Sequence, residues 1–276
     1  MHKKWVRLAG TCFLLDGLST LLFGRKYVRL FRFGLRSSLY RRAIEGLLDL
    51  PAWQLHSAGA VEAALGVSLL NRAPFDVQSL YEGLAAGYAA IDPGWREWFY
   101  PEAHQAFDQA LVGYLPAVGR VLDLGSGVGA NLARIKALGL PYGSYTGVDL
   151  TGAMLHQAEA RYGAGPDVRF QQVDLMRDAL PGGPYDLIVS TWVFEHLPDP
   201  VLVAEKAWEQ LKPGGHLVLL FEVEAGSWLS RLVDRVYPFF SARLVRNKEV
   251  RQFPGVQRDR RFSGPLGDLA LVIARK

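Results

Sequence analysis

The sequence predicts an α/β fold built on a parallel sheet, and three observations predict it. From residue 120 onward, short apolar runs rich in β-branched residues recur at intervals, each about the length of one strand. The segments between them are helical or short, which is the pattern of successive βαβ units. One run, "VLDLGSGVGANL" (121–132), passes from a strand through glycines at alternate positions into a helix.

The chain has 276 residues, enough for one large domain or for an ordinary domain with an extra segment. Its charge is unevenly spread. Residues 1–50 carry ten Lys/Arg against Asp16, Glu45 and Asp49, whereas the remainder holds 21 basic and 24 acidic residues. The net charge of +4 therefore belongs to an N-terminal extension, residues 1–74, and no nucleic-acid partner is expected. The single cysteine, Cys12, excludes an internal disulfide, and the six histidines show no ligand spacing, so no metal is expected.

The extension opens with Lys3, Lys4 and Arg7, continues as "LAGTCFLLDGLSTLLFG" (8–24), and turns strongly basic in "RKYVRLFRFGLRSSLYRR" (25–42). It lacks a small-residue cleavage pattern and its basic block lies on the wrong flank, so no cleaved leader is expected. As a helix the apolar run reaches roughly 25 Å, short of a hydrocarbon core of about 30 Å, and Asp16 sits at its centre. A second run, "AWQLHSAGAVEAALGVSLL" (52–70), carries His56 and Glu62. If both runs spanned a bilayer, the basic connector would face the cytoplasm and everything after residue 70 would lie outside, away from a cytosolic cofactor. The expectation is a cytoplasmic protein with two open readings for its helical extension. Either it lies at the inner face of a membrane, with Arg25, Lys26, Arg29, Arg32, Arg36, Arg41 and Arg42 toward anionic headgroups, or it packs as a helical subdomain with solvated arginines. Gly/Ala-rich "SAGAVEAALG" permits close helix packing in both.

From residue 75 the pattern changes. "FDVQSLYEGLAAGYAAID" and "YPEAHQAFDQALVGYL" are amphipathic helices separated by "DPGWREWFYP" (92–101). Strands are expected at "RVLDLG" (120–125), "YTGVDL" (145–150), "VRFQQVDL" (168–175), "YDLIVSTW" (185–192) and "HLVLLFEVE" (216–224). Between the last two, a helix is expected over 199–211, capped by Asp199, opened by Pro200 and ended by "KPGG".

A strand ending at Gly125 and a helix starting near Ala130 leave backbone N–H groups at a helix N-terminus, where residues without Cβ admit a nucleotide-like ligand. Gly125, Gly127 and Ala130 also satisfy G-x-G-x-x-[GA], so the loop alone does not separate a nicotinamide dinucleotide from other cofactors. Three carboxylates at successive strand ends bear on that choice. Asp123 precedes the loop by two residues, where it would disfavour a pyrophosphate and favour an ammonium group, or brace the loop by accepting backbone N–H bonds, or do both. Asp149 suits both hydroxyls of a ribose, and Asp174 an adenine amino group, with Leu150 and Leu175 beside the ring.

With these motifs in place the sequence resembles the class I S-adenosylmethionine-dependent methyltransferases over residues 75–276. The matching stretches are "VLDLGSGVG", "GVDLTGAML", "VDL" (173–175), "YDLIVSTWVFEHLPDP" and "LKPGGHLVLL", and the likeness is greatest to the branch that methylates small molecules, lipids and quinones. The resemblance implies a Rossmann-like sheet of seven strands with the last antiparallel, for which "VQRDRRFSG" and "GDLALVIARK" (256–276) supply a closing hairpin. It implies S-adenosylmethionine as cofactor, held by Asp123, Gly125, Ser126, Gly127, Asp149, Leu150, Asp174, Leu175 and Thr191. "YEGLAAGYAAID", with Tyr81 and Tyr88, resembles the helix that covers the cofactor, and residues 1–70 lie outside the family pattern.

For the reaction, His196 and Glu195 are candidate bases, needed only if the acceptor must lose a proton; otherwise His196 packs the loop. Residues 225–261 are the expected acceptor region. Trp228, Leu229, Leu232, Val233, Val236, Phe239 and Phe240 would form an apolar face, with Arg231, Arg235, Arg243, Arg246, Lys248 and Arg251 adding positive charge around it. The expected function is methyl transfer to a small, lipophilic acceptor, with residues 1–50 and 228–251 in contact with an anionic membrane. The competing readings are a nicotinamide-dependent oxidoreductase and a non-catalytic cofactor-binding membrane module.

Overall fold

The computed structural model describes residues 2–29, 38–71, 77–79, 81–82, 85, 100–163, 165–226, 230–231, 234, 237–263 and 268–276. The chain divides into two compact units, residues 1–75 and 76–276.

The first unit is helical: α1 (His2–Phe23), α2 (Arg25–Val28), α3 (Ser38–Asp49) and α4 (Ala52–Asn71). Helices α1 and α4 run antiparallel in backbone contact. A methyl group on Gly17 would lie 2.2 Å from the Ala63 amide nitrogen, and one on Gly66 2.3 Å from that of Leu14. Val28, Ile44 and Leu55 form a small core of their own. Among the described residues, no helix is long and apolar enough to cross a membrane.

The second unit is a seven-stranded sheet: β1 (Arg120–Leu124), β2 (Ser144–Asp149), β3 (Val168–Gln172), β4 (Tyr185–Thr191), β5 (Leu211–Val223), β6 (Val256–Ser263) and β7 (Asp268–Arg275). The order is β3-β2-β1-β4-β5-β7-β6, parallel from β3 to β5, with β7 antiparallel to both of its neighbours. The closing hairpin over 256–276 and the antiparallel last strand follow the sequence expectation. Among the described residues, helices α5 (Pro101–Tyr114), α6 (Ala130–Ala137), α7 (Gly152–Tyr162), α8 (Pro200–Glu209) and α9 (Asn247–Val250) accompany the strands.

Alternation along the central strands divides the core in two. Leu122, Ile188, Leu217 and Leu219 face one buried cluster, whereas Val121, Leu187, Val189 and Val218 face the other. Both faces of the sheet are covered, which is why these strands are apolar almost throughout.

Two boundaries differ from expectation. Asp199 does cap α8, accepting from the Leu202 amide at 3.1 Å, but the helix stops at Glu209 and β5 begins at Leu211. "KPGG" lies inside β5 because the strand bulges there: Tyr185 pairs with Leu211, and the regular register resumes at Leu187 with His216. Strand β3 ends at Gln172, so Asp174 stands in the turn after the strand and not at its end. The carboxyl ends of β1, β2 and β4 share one edge of the sheet, where open α/β sheets bind ligands.

Candidate active site

The turn after β1 is held by backbone bonds and by glycine conformation. The Ser126 amide donates to the Val148 carbonyl at 2.8 Å, tying the loop to β2. Gly125, Gly127 and Gly129 have φ of 68°, 51° and 82°, and Gly129 leads directly into α6. At Gly125 a Cβ would lie 2.2 Å from a methyl of Val193, whereas at Gly127 it would meet nothing within 4 Å. Gly125 is thus required by packing, and Gly127 leaves open space over the loop.

Asp149 closes β2 against this loop. One carboxylate oxygen accepts from the Gly127 amide at 2.8 Å, the other from the Thr151 amide at 2.9 Å. Burial raises its pKa against the pull of these bonds. Asp174 accepts from the Met176 amide at 2.9 Å and lies 3.6 Å from the Arg177 guanidinium.

Asp123 stands elsewhere. It is fully buried beneath the loop and takes no part in lining the cavity. One of its oxygens accepts from the Tyr145 hydroxyl and the other from the Asn131 side-chain amide at 2.9 Å. Burial pushes its pKa up to about 7 despite both bonds. Both oxygens are thus engaged by side chains of the core, Tyr145 on β2 and Asn131 on α6.

The other expected cofactor residues, Gly125, Ser126, Gly127, Asp149, Leu150, Asp174, Leu175 and Thr191, line one cavity of about 630 Å³ at the carboxyl edge of the sheet. Thr191 reaches the Asn131 amide at 3.3 Å, which links the end of β4 to the first turn of α6. The Ser126 hydroxyl is buried without a hydrogen-bond partner. A buried hydroxyl in that state costs about 1–3 kcal/mol, and it lies against Gly147 of β2.

The same cavity extends past the end of β4 to Glu195 and His196. The His196 ring is engaged at both nitrogens: Nε2 lies 3.1 Å from the Tyr81 hydroxyl and Nδ1 3.2 Å from the Ser241 carbonyl. Because a carbonyl only accepts, Nδ1 carries the proton and Nε2 accepts from Tyr81. Burial lowers its pKa, keeping the ring neutral. Glu195 is buried, and its Oε2 has no hydrogen-bond partner. Burial first, and the Glu222 carboxylate second, raise its pKa well above the usual range. Glu222, on β5, is also buried and is pushed up to about 7 by desolvation, while a hydrogen bond with Tyr237 opposes the shift. Burial and both carboxylates in turn raise the Tyr237 pKa.

Several of these features go beyond the sequence reading. Glu222 and Tyr237 were not singled out, nor was Trp192, whose backbone adopts φ 61° at the cavity wall. The expected positive rim is partly neutralised. Arg243 forms a two-pronged ion pair with Glu249 at 2.9 Å, and Arg246 pairs with Asp234 at 2.8 Å and Glu224 at 3.4 Å. Tyr88, Trp228, Leu229, Leu232, Val233, Val236 and Arg235 lie outside the described residues.

Comparison with known proteins agrees with this geometry. Residues 122–217 match the family model described as a methyltransferase domain. Trans-aconitate 2-methyltransferase of Deinococcus radiodurans is 35% identical over 111 residues, which cover 40% of each chain. A ubiquinone biosynthesis O-methyltransferase of Marinobacter nauticus is 33% identical over 102 residues, covering 36% of this chain and 42% of the relative. The chain thus spans less than half the length of these curated relatives. Among solved structures, the N-methyltransferase NodS of Bradyrhizobium japonicum, in complex with S-adenosyl-L-homocysteine, superposes with a TM-score of 0.56 at 19% identity, covering 73% of this chain and 99% of that one. A methyltransferase of Methanosarcina mazei gives 0.51 at 18% identity, over 60% and 96%. Residues 122–217 are thus similar to a methyltransferase domain, and the two solved structures share the fold of the sheet that carries the glycine loop and Asp149.

Proposed function

We propose that residues 75–276 form a catalytic domain that transfers a methyl group from S-adenosylmethionine to a small acceptor. The observation that carries this reading is the Asp149 carboxylate, which accepts from the Gly127 amide and lines the same cavity as the glycine loop. Two acceptor positions remain on that carboxylate for ribose hydroxyls. Leu150 and Leu175 flank an adenine, with Asp174 at the ring's edge. Asp123 acts through Asn131 and Thr191.

When bound, the cofactor supplies a methyl group on a sulfonium, which is electrophile and leaving group in one. The protein's share is orientation and exclusion of water, worth several kcal/mol of barrier at about the scale of other two-substrate reactions. Trp192, Val193, Tyr81 and Leu197 supply the apolar wall. His196, held neutral between Tyr81 and Ser241, positions the loop. Where the acceptor's attacking atom carries a proton, Glu195 is the candidate base at the cavity; burial and the Glu222 carboxylate favour its protonated form, so it takes that proton only after giving up its own.

The relatives named for trans-aconitate and for ubiquinone biosynthesis support a small-molecule acceptor. The proposal extends to a lipophilic one and to contact of residues 1–50 and 228–251 with an anionic membrane at the inner face. The oxidoreductase alternative is not favoured, since the matched family model and the two relatives described above are methyltransferases.

Equilibrium dialysis with S-adenosylmethionine and with NAD tests the cofactor: binding of NAD alone would defeat the proposal. Turnover with a methyl-labelled cofactor across carboxylate, phenol and quinol acceptors tests the chemistry. Cofactor binding without transfer to any acceptor would favour the non-catalytic module.

A further inference from the structure

The contact between α1 and α4 is built from small residues. Where α1 faces α4 it places Gly10, Gly17, Thr20 and Gly24, all buried, and α4 answers with Gly59, Ala63 and Gly66. Several large apolar residues of α1 are instead left exposed. Phe13, Leu15, Leu18, Leu22 and Phe23 are 38–68% exposed. In water the hydrophobic effect drives the opposite choice, with leucines between the helices and small or polar residues outside. Small residues inside and large apolar ones outside is the arrangement that pays where the surroundings are themselves apolar.

The polar groups of the unit fit the same surroundings. Asp16, in the middle of α1, accepts from the Tyr27 hydroxyl and shares a hydrogen bond with Glu62 of α4, so the two half-buried acids are partnered within the unit. His56 Nδ1 lies 2.6 Å from the Leu21 carbonyl. Positive charge collects at one end: exposed Arg25, Lys26 and Arg29 follow directly on exposed Leu22 and Phe23. Leu15, Leu18 and Leu22 fall on one stripe of α1 that leads to this basic collar.

We propose that the α1–α4 pair seats its Leu15–Leu18–Leu22 side in the acyl boundary of an anionic bilayer, with Arg25, Lys26 and Arg29 at the headgroups and no crossing of the membrane. The inference deepens the membrane-contact part of the functional reading and is independent of methyl transfer. Its consequence is that the second unit is tethered where lipophilic acceptors partition.

The test is flotation of the full chain with phosphatidylcholine vesicles, with and without phosphatidylglycerol. The chain should float with the anionic vesicles. At roughly fivefold per basic side chain near the surface, R25Q/K26Q/R29Q should lower partition on the order of 100-fold. L15N/L18N/L22N should lower it by roughly tenfold or more per leucine, with the glycine contact left intact. The charge variant reads the same partition should the leucine variant fail to fold. Cofactor binding by calorimetry on the same samples should not change, which separates this result from any failure of the methyltransferase reading. A wild-type chain that stays unfloated with both vesicles overturns the proposal. So does a lipid-free dimer that the leucine variant dissociates without any effect on flotation, which would assign the face to a second copy of the chain.

Discussion

Replacing Asp149 by Asn changes one oxygen into an amide at the point where the glycine loop meets the cavity. The wild-type carboxylate accepts from two backbone amides, Gly127 at 2.8 Å and Thr151 at 2.9 Å. An asparagine can serve only one and sets its own NH2 against the other, leaving an N–H unpaired at about 1–3 kcal/mol. The same oxygens are the proposed acceptors for two ribose hydroxyls. Hydrogen bonds to a charged group are worth about 1.5–3 kcal/mol each, and the amide oxygen retains part of one. The net loss in cofactor binding is about 3 kcal/mol, or roughly a 100-fold rise in Kd. Titration calorimetry with S-adenosylhomocysteine measures this, and thermal melts of the unliganded chain report the lost amide bond separately. A 2′-deoxyribose analogue then isolates the contact itself. The wild type should discriminate against the analogue, and D149N should lose most of that discrimination. If D149N binds within threefold of wild type, or discriminates between ribose and deoxyribose as sharply, the assignment of Asp149 to the ribose is refuted.

The two loop glycines should separate by mechanism. G125A drives a Cβ into Val193 and should lower Tm clearly, whereas G127A meets no atom, costs about 1 kcal/mol through its positive φ, and should act mainly on cofactor Kd. Glu222 has a pKa raised from 4.5 to about 7, so the folded chain keeps a proton that the unfolded chain releases; stability therefore falls as pH rises from about 4.5 through 7. The loss is about 3 kcal/mol, and E222Q, still able to accept from Tyr237, should flatten it; parallel urea midpoints for the two proteins at pH 5.5, 7 and 8.5 would count against the buried pair. E195Q should leave cofactor Kd unchanged and lower kcat for acceptors that must lose a proton, while sparing acceptors with a free lone pair; equal kcat with both kinds would remove Glu195 as the base.

What could be read from the sequence was local in its physics. A strand followed by glycines at alternate positions needs no knowledge of the rest of the chain to be a ligand turn, and an acid at the end of the next strand lands beside it in any βαβ unit. Asp149 meets that condition, and its carboxylate indeed stands over the Gly127 amide. Glu222 does not. In "HLVLLFEVE" it has the appearance of the outward residue of a half-covered strand, but β5 runs between β4 and β7 and is buried on both faces, so the acid is carried inside. Its partner Glu195 is 27 residues away and meets it only because the short helical turn Phe194–His196 packs on β5. "KPGG" misleads for a related reason: glycines that end a helix also permit a bulge, and only pairing with β4 and the bond from the Gly214 amide to the Lys276 carbonyl decide between them.

Asp123 shows how a residue read beside a ligand loop can be held by side chains from within the core. Its place two residues before the glycines suggests a side chain aimed at the ligand, yet Tyr145 on the neighbouring strand and Asn131 on α6 supply both of its donors from within the core. Those partners are what make a buried acid tolerable there, since an unpaired carboxylate at full burial would be far more costly. Through Asn131 the acid also sets the position of Thr191, at 3.3 Å, and so links the ends of β1 and β4 with the start of α6. The three elements that border the cofactor end of the cavity thus share one buried hydrogen-bond network, and the geometry of the visible site depends on a residue that never reaches its surface.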